Sequence, residues 1–189
     1  PACRSGACGA GRRSCGRQGV THTAQGADEF RRQIEINLMG PIAVCRAFLP
    51  LLGVDLEKGL VGAPGKIINI SSIGAHLSTP FMTGYNAAKA GLEAFSHSLR
   101  RELSVFGVDV VVLVPGAFKS AIWAKTDDGL AKYDNSIYRH ALQSFRQGAN
   151  TESERGLPGE RMGVVIDDIL SGRKKGAIYP VMPSPFRDW

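Results

Sequence analysis

The sequence lacks the features of a fibrous, disordered or membrane-spanning protein. Aromatic residues make up only 7% of the 189 residues, but 43% are hydrophobic, which is ordinary for a soluble domain. No uninterrupted apolar run approaches the roughly 18 residues that a spanning helix needs. A chain of this length buries roughly 70% of its extended surface. We therefore expect one globular domain that holds a core without disulfides or metals and has no membrane span.

Cysteine is scarce, and its placement is uneven. Cys3, Cys8 and Cys15 lie in the first fifteen residues, and only Cys45 lies elsewhere. Zinc sites usually place two ligands two to four residues apart, and no CxxC pair is present, so we predict no metal site. The start of the sequence also lacks the apolar stretch of a secretory signal. These features favour a reducing, cytoplasmic compartment.

Positive charge exceeds negative charge by six, but the excess is concentrated at one end. Residues 1–20 contain four arginines and no acidic residue, so the remaining residues carry a net charge of only two. A nucleic-acid interface needs a basic face on a folded element, interleaved with aromatic residues, and this segment has neither. It also shows no apolar period. We predict that residues 1–20 are disordered and that the protein has no nucleic-acid partner.

Apolar residues recur every three or four positions from Asp28 to about Leu52, which predicts a helix with one buried face. Pro41 lies near the middle of this helix. Because proline removes a backbone donor, it predicts a bend or break close to Asn37. This break would free a backbone carbonyl for other contacts.

A second apolar stripe predicts a long helix from about Gly84 to Phe106, with Lys89 and Glu93 largely off the buried face. Short apolar runs predict three strands, and one further helix is predicted near the end of the chain. The strands are expected at 66–70, 108–114 and 177–182, and the helix at 160–170. This order indicates an α/β fold with a parallel sheet wrapped by helices, and three strands make half of a doubly wound sheet.

The most specific chemical pattern is a tyrosine and a lysine four residues apart at the start of the second helix. Tyr85 and Lys89 share a helix face, with Cβ atoms about 6 Å apart. A nearby ammonium favours a phenolate, so this pair suits proton exchange with an alcohol or ketone near neutral pH. Ser72 ends the preceding strand and could donate a hydrogen bond to the same oxygen. An exposed tyrosine stacked on a lysine stem is the alternative interpretation.

These motifs together resemble the short-chain dehydrogenase/reductase family. Ser72 precedes Tyr85 by thirteen residues, Lys89 follows four later, and Pro115-Gly116 ends the next strand. The resemblance extends from about Gly19 to Tyr179. It implies a Rossmann-type sheet and NAD or NADP as the cofactor. It also implies a homodimer or homotetramer, because the two long helices commonly pair across a two-fold axis in this family.

The resemblance also implies roles for individual residues. Tyr85 matches the catalytic acid/base, Lys89 matches the residue that lowers the tyrosine pKa and holds the nicotinamide ribose, and Ser72 matches the substrate-orienting hydroxyl. Asn37 matches an asparagine that holds a water molecule at a helix irregularity. The segment after the next strand implies cofactor contacts from Pro115, Gly116, Phe118 and Ser120. As alternatives, Asn37 is an ordinary polar residue on its helix and Pro115-Gly116 is a plain turn.

The first half of such a domain does not match the family pattern. The glycines at 5–11 are spaced one residue too short for the family's phosphate-binding turn and follow no apolar strand. We therefore expect residues 1–20 to lie outside the family pattern and residues 21–189 to form the C-terminal part of the domain. The excess of Gly, Arg, Cys and Ala at the start suggests misread GC-rich codons. On this interpretation the sequence is truncated or mis-framed at its N-terminus.

Three functions are compatible with these motifs. The first is an NAD(P)-dependent oxidoreductase that interconverts a secondary alcohol and a ketone, with residues 117–156 as the substrate lid. Aromatic residues in that lid suggest an apolar substrate. The second is a non-catalytic remnant that acts as a dimerising interaction module. The third, serine hydrolysis, is weaker because a nucleophile elbow needs G-x-S-x-G, and Ile70 stands two residues before Ser72.

Overall fold

A long interrupted helix opens the part of the chain that the structure, a computed structural model, describes: residues 26–120 and 134–183. It consists of helix α1 (Ala27–Ile34), a π-helical turn (Glu35–Met39), helix α2 (Gly40–Phe48) and a 3-10 turn (Leu49–Leu52). Pro41 has no N–H to donate to the carbonyl of Asn37, and the π-turn contains Asn37. The predicted irregularity near Asn37 is confirmed. The predicted disorder of residues 1–20 falls outside the described residues.

The same helix is more exposed than its apolar stripe predicts. Among the described residues, Ala27–Leu52 is the one helix that is long and apolar enough to cross a membrane. Its most apolar 18-residue window has a mean hydropathy of 1.4, and only 6% of that window is buried. The prediction of no membrane span was based on uninterrupted apolar runs. This helix is not such a run, because it includes the charged residues Glu35 and Arg46. A core helix of a soluble protein passes the same test but is mostly buried, and one such helix is weak evidence for a membrane span.

Three parallel strands form the sheet that carries the site. Strands β3 (Lys66–Ile70), β4 (Asp109–Pro115) and β5 (Ile178–Val181) lie in the order β3-β4-β5. Ile68 pairs with Val111, and Leu113 pairs with Tyr179. Strand β4 lies in the middle, with five consecutive buried residues at 110–114, as expected for a strand covered on both faces. The predicted parallel α/β sheet is confirmed.

Helices pack on both faces of this sheet. Helix α4 (Thr83–Leu103) continues into a 3-10 turn (Ser104–Phe106) and packs on β4. Helices α5 (Arg139–Arg155) and α6 (Glu160–Leu170) follow β4 in the chain. The predicted helices at 84–106 and 160–170 are therefore confirmed.

Alternate residues of β4 point to opposite faces and divide the core into two clusters. Val110 joins Cys45 and Leu103 on the face covered by α2 and α4. Val111 and Leu113 join residues of α6 on the other face. A single strand thus holds both layers together, which makes β4 the centre of the domain.

Two short elements were not predicted from the sequence. Residues 53–65 contain a small antiparallel hairpin of β1 (Val54–Asp55) and β2 (Gly59–Leu60). Asp55 Oδ1 accepts hydrogen bonds from the backbone N–H groups of Glu57 and Lys58, which lower the pKa of this carboxyl. The other element is helix α3 (Gly74–Leu77), which follows Ser72. Neither is long enough to show an apolar period.

Replacing Leu113 by alanine should strongly destabilise the domain. Its side chain is 0% exposed in the central strand, so Leu113→Ala leaves a cavity and should lower the free energy of unfolding by about 2–5 kcal/mol. The matched change Leu56→Ala, at a position 78% exposed, should stay within about 0.5 kcal/mol of the parent. Urea denaturation measures both. Equal losses in the two variants would contradict this account of the core.

Candidate active site

The site lies where strands β3 and β4 end. Beyond β3, the backbone N–H of Ser71 donates to the carbonyl of Leu113 at 2.7 Å, and that of Ile73 donates to Pro115 at 2.9 Å. These bonds extend the parallel pairing past the last residue of β3 and fix the backbone on both sides of Ser72. Ligands of open α/β sheets bind beyond the carboxyl ends of the strands. Ser72 lies in that position.

Ser72 and Tyr85 meet around Gly74. The backbone N–H of Gly74 donates to Ser72 Oγ at 3.1 Å. A Cβ atom placed on Gly74 would lie 3.4 Å from Ser72 Oγ and 3.3 Å from Tyr85 Cε1. Both side chains therefore border the same small space, and α3 begins there because glycine leaves this space open.

Lys89 faces Tyr85 from the next turn of α4. Its Nζ atom lies 5.8 Å from the centroid of the Tyr85 ring, within the range of a cation–π contact. The same Nζ donates to the carbonyl of Ile70 at 2.8 Å. Burial lowers the pKa of the Lys89 amine, because desolvation disfavours the charged form. The predicted shared face of Tyr85 and Lys89 is present.

Asn37 lies on a neighbouring element. Its Nδ2 group donates to the carbonyl of Gln33 at 3.2 Å and to Gln33 Oε1 at 2.8 Å. The adjacent Leu38 packs on α4, 3.1 Å from where a Cβ atom of Gly91 would lie. Among the described residues Asn37 has no hydrogen bond to Lys89, so its role at the site stays a prediction.

The predicted cofactor segment begins at the end of β4. The N–H of Gly116 donates to the carbonyl of Val181 at 3.0 Å. Phe118 then pairs in parallel with Leu157. Ser120 is exposed. These contacts place the segment at the same edge of the sheet as Ser72, but the cofactor contacts of Pro115, Gly116, Phe118 and Ser120 stay predictions.

Glu93 and His76 lie near the site but were not recognised as site residues from the sequence. Glu93, expected largely off the buried face, is only 8% exposed. Its Oε1 accepts a hydrogen bond from Ser71 Oγ at 2.6 Å, and its Oε2 lies 3.1 Å from His76 Nε2. The available signal was spacing, because Tyr85, Lys89 and Glu93 follow one another at intervals of four and share a helix face.

This cluster differs from a hydrolytic triad. In a triad the serine hydroxyl bonds to the imidazole, which in turn bonds to the acid. Here Ser71 Oγ donates directly to the Glu93 carboxylate. Ser71 is also almost completely buried. The geometry therefore does not favour serine hydrolysis through Ser71.

The fold and the site define an α/β domain with a serine, a tyrosine and a lysine at the carboxyl edge of a parallel sheet. A family model described as "short chain dehydrogenase" matches residues 8–131, which is well over half of the chain. The chain belongs to the short-chain dehydrogenase family, as its motifs predicted. The match begins inside the segment 1–20.

Individual relatives agree with this family. An NADPH-dependent 3-dehydrocapnine reductase from Ornithobacterium rhinotracheale is 31% identical over 156 residues, covering 82% of this chain and 54% of that protein. The uncharacterized oxidoreductase YusZ of Bacillus subtilis is 39% identical over 159 residues, with the same two coverages. The crystal structure of levodione reductase shares the fold, with a TM-score of 0.61 and 22% identity over 84% of this chain and 58% of that one. The chain spans about half the length of the curated relatives it matches.

A methyl group on Gly74 should disrupt the site. In Gly74→Ala the added Cβ would lie 2.9 Å from Asn86 Oδ1 and 3.3 Å from the Tyr85 ring, so neighbouring groups must shift. We expect a loss of about 1–3 kcal/mol in unfolding free energy, measured by urea denaturation. As a control, Gly163→Ala in α6 meets nothing within 4 Å and should stabilise the protein by up to about 1 kcal/mol. Unchanged stability of Gly74→Ala would contradict the close approach.

The titration of Lys89 should appear in the pH dependence of stability. Because the pKa of its amine is below the ordinary 10.5, the folded protein releases this proton at a lower pH than the unfolded chain. In that window the unfolded chain binds more protons, so the free energy of unfolding should rise as pH increases toward 10.5. Urea denaturation at a series of pH values should show this rise in the parent and a smaller rise in Lys89→Met. Identical slopes would contradict the lowered pKa.

Proposed function

We propose that this protein is an NAD(P)-dependent oxidoreductase that interconverts a secondary alcohol and a ketone, with Tyr85 as the general acid/base. The observation that carries the proposal is the convergence of Ser72 Oγ and the Tyr85 ring on the space around Gly74, with Lys89 one turn along α4. The family supports it, and one relative is named as an NADPH-dependent reductase.

Proton transfer falls to Tyr85. In the oxidation direction its phenolate takes the proton from the alcohol hydroxyl, and in reduction the phenol returns it to the carbonyl oxygen. Lys89 favours the phenolate electrostatically, since its Nζ faces the ring while it is held by the carbonyl of Ile70. Helix α4 places both side chains on one face, with Lys89 Nζ 5.8 Å from the centroid of the Tyr85 ring.

Ser72 orients the substrate oxygen. Its Oγ accepts a hydrogen bond from the N–H of Gly74, which leaves the hydroxyl proton available to donate to a substrate oxygen. A donor that itself accepts a hydrogen bond is polarised and binds an oxygen more strongly. Ser72 thus holds the reacting oxygen in line with Tyr85 and stabilises charge that develops on it.

The residues present fit the nicotinamide end of a dinucleotide. Lys89 and Tyr85 would hold the ribose, and the backbone from Pro115 to Phe118 would face the carboxamide. A Cβ atom on Gly116 would lie 3.3 Å from the Met182 side chain. The backbone at Gly116 is therefore packed closely against Met182. The cofactor, when bound, supplies the hydride chemistry, and the protein supplies alignment and proton transfer.

An apolar substrate is supported by a cavity that borders α3 and α4, although Ser72, Tyr85 and Lys89 do not line it. A space of about 590 Å³ lies between the loop after α3, the first turns of α4 and the start of α5, within the usual range of ligand pockets. Phe81 lines it and has a φ of 67°, an unusual conformation for a bulky residue. The Phe81 ring contacts Tyr138 and Phe145 edge-on, at 6.0 and 5.8 Å between centroids.

Tyr138 and Phe145 belong to the predicted lid 117–156. Their contacts with Phe81 tie part of that lid to the rim of the cavity, which supports its proposed role in covering the substrate. Two further aromatic residues of the lid, Trp123 and Tyr133, lie outside the described residues. We therefore propose an apolar alcohol or ketone as the substrate.

A second candidate function is the non-catalytic, dimerising module. Helix α2 and the 3-10 turn after it expose Val44, Phe48 and Leu51, and Leu51 is 79% exposed. Such an apolar face suits a second copy of the chain, as does the homodimer or homotetramer that the family implies. Titration with NADH and NADPH by fluorescence separates the two functions, because only the enzyme needs to bind a nicotinamide.

We also place the protein in the cytoplasm. A reducing compartment is compatible with Cys45, the one cysteine among the residues that the structure describes, which is a free and buried thiol. Burial raises the pKa of this thiol, which keeps it protonated and unreactive.

Removal of the Tyr85 hydroxyl should abolish catalysis. Since general acid/base groups contribute about 100- to 10,000-fold, we expect Tyr85→Phe to lower kcat at least about 100-fold in NADPH- or NADH-dependent reduction of apolar ketones. Cyclohexanone, acetophenone and a long-chain methyl ketone are suitable first substrates, followed by absorbance of the reduced nicotinamide.

The matched control is Tyr179→Phe. Tyr179 lies on β5, and its hydroxyl is buried without a hydrogen-bond partner among the described residues, so its loss should leave kcat unchanged. Full activity of Tyr85→Phe would end the assignment of Tyr85 as the acid/base.

A further inference from the structure

Glu93 is a buried carboxylate whose two oxygens are both engaged by one short segment. Ser71 Oγ donates to Oε1 at 2.6 Å, and His76 Nε2 lies 3.1 Å from Oε2. Ser71 and His76 flank Ser72 and the start of α3 in the chain. One side chain of α4 thus holds the segment that carries Ser72 at two points.

A buried carboxylate needs these partners. An unpaired charge inside a protein is costly, and it persists only when hydrogen bonds or opposite charges satisfy it. The Glu93 side chain is 11% exposed and the His76 side chain is 33% exposed, so the carboxylate meets His76 in a largely buried position. The two contacts are therefore coupled, since loss of one leaves the other to satisfy the same carboxylate.

The held segment leads directly to the reactive hydroxyl. His76 lies in α3, which begins at Gly74, and the Gly74 N–H donates to Ser72 Oγ. Fixing α3 through His76 therefore fixes the direction of that N–H. The sheet fixes the backbone of Ser71 and Ile73, but it makes no contact with the Ser72 side chain through those bonds. Among the described residues, the hydrogen bond to Ser72 Oγ comes from the first residue of α3.

We propose that Glu93 is a positioning residue, which acts through His76 and Ser71 to hold Ser72 Oγ opposite Tyr85. The inference rests on the proposed function, since Ser72 and Tyr85 are assigned there. Glu93 itself touches no reacting atom. It completes a face of α4 on which Tyr85 transfers the proton, Lys89 stabilises the phenolate and Glu93 aligns the serine.

Four variants of the full chain test this role. Glu93→Ala removes both contacts, Glu93→Gln keeps an oxygen for Ser71 and an amide for His76, and His76→Ala removes only the contact with α3. Glu102→Gln is the control, because Glu102 is an exposed carboxylate on the same helix. All are compared at a temperature where circular dichroism shows each to be folded.

The first measurement is hydrogen–deuterium exchange, which needs no activity. Glu93→Ala and His76→Ala should speed exchange at residues 72–79 about tenfold or more while exchange in β4 stays at the parent rate. Glu93→Gln should lie close to the parent, and Glu102→Gln should equal it. Equal acceleration in 72–79 and in β4, or none in 72–79, would overturn the proposal.

The second measurement is turnover with the ketones used for Tyr85. Glu93→Ala should lower kcat about 10- to 100-fold, the scale expected for misaligned reacting groups, with KM for the nicotinamide unchanged. Glu93→Gln should restore kcat to within about threefold of the parent. A parental kcat in Glu93→Ala would overturn the positioning role. An inactive parent chain would count against the oxidoreductase, and the exchange at 72–79 would then decide alone whether Glu93 holds α3.

Discussion

The docking of helix α4 onto the end of strand β3 is the constraint on which the site depends. Polar side chains spaced along one face of the helix bond to three consecutive residues at the end of the strand and just beyond it. The bonds are Lys89 Nζ to the Ile70 carbonyl at 2.8 Å, Ser71 Oγ to Glu93 Oε1 at 2.6 Å, and Asn69 Nδ2 to Ser96 Oγ at 2.8 Å. The two side-chain pairs, Ser71 with Glu93 and Asn69 with Ser96, are specific to their positions and so fix where the helix lies along the strand. A shift of the helix by one residue would break both pairs.

Buried polar contacts of this kind favour a specific arrangement more than they add stability. Apolar side chains at the same positions would pack well in several registers, whereas an unmatched carboxylate or amide in the core is costly. Asn69 makes a second buried polar contact, because its Oδ1 accepts a hydrogen bond from Cys45 Sγ at 3.6 Å. This contact links α2 to the strand. The register of α4 sets the distance between Tyr85 and Ser72, which in turn defines the proposed chemistry.

The other long helix is arranged differently. At the π-turn, Leu38 packs closely against Gly91 of α4, which brings Asn37 to the helix pair that carries the site. Beyond this contact, α2 leaves several apolar side chains exposed. The chain spans about half the length of its curated relatives, and its exposed apolar face and its proposed catalytic residues lie on neighbouring helices. The two candidate functions therefore involve neighbouring helices, α2 for dimerisation and α4 for catalysis.

Local patterns determined a large part of this protein. Apolar periods located α4, α6 and the three parallel strands, Pro41 located the irregular turn, and the spacing of Ser72, Tyr85 and Lys89 indicated the family and the proposed chemistry. The spacing places Glu93 on the helix face of Tyr85 and Lys89, but helix α3 and the burial of Glu93 could not be predicted from local patterns. A four-residue helix has no period, and a glutamate on a charged helix looks exposed until a partner is known. Only the tertiary structure supplies those partners, because Ser71 and His76 meet Glu93 across about twenty residues of chain, where side-chain hydrogen bonds and not local periodicity decide what is buried.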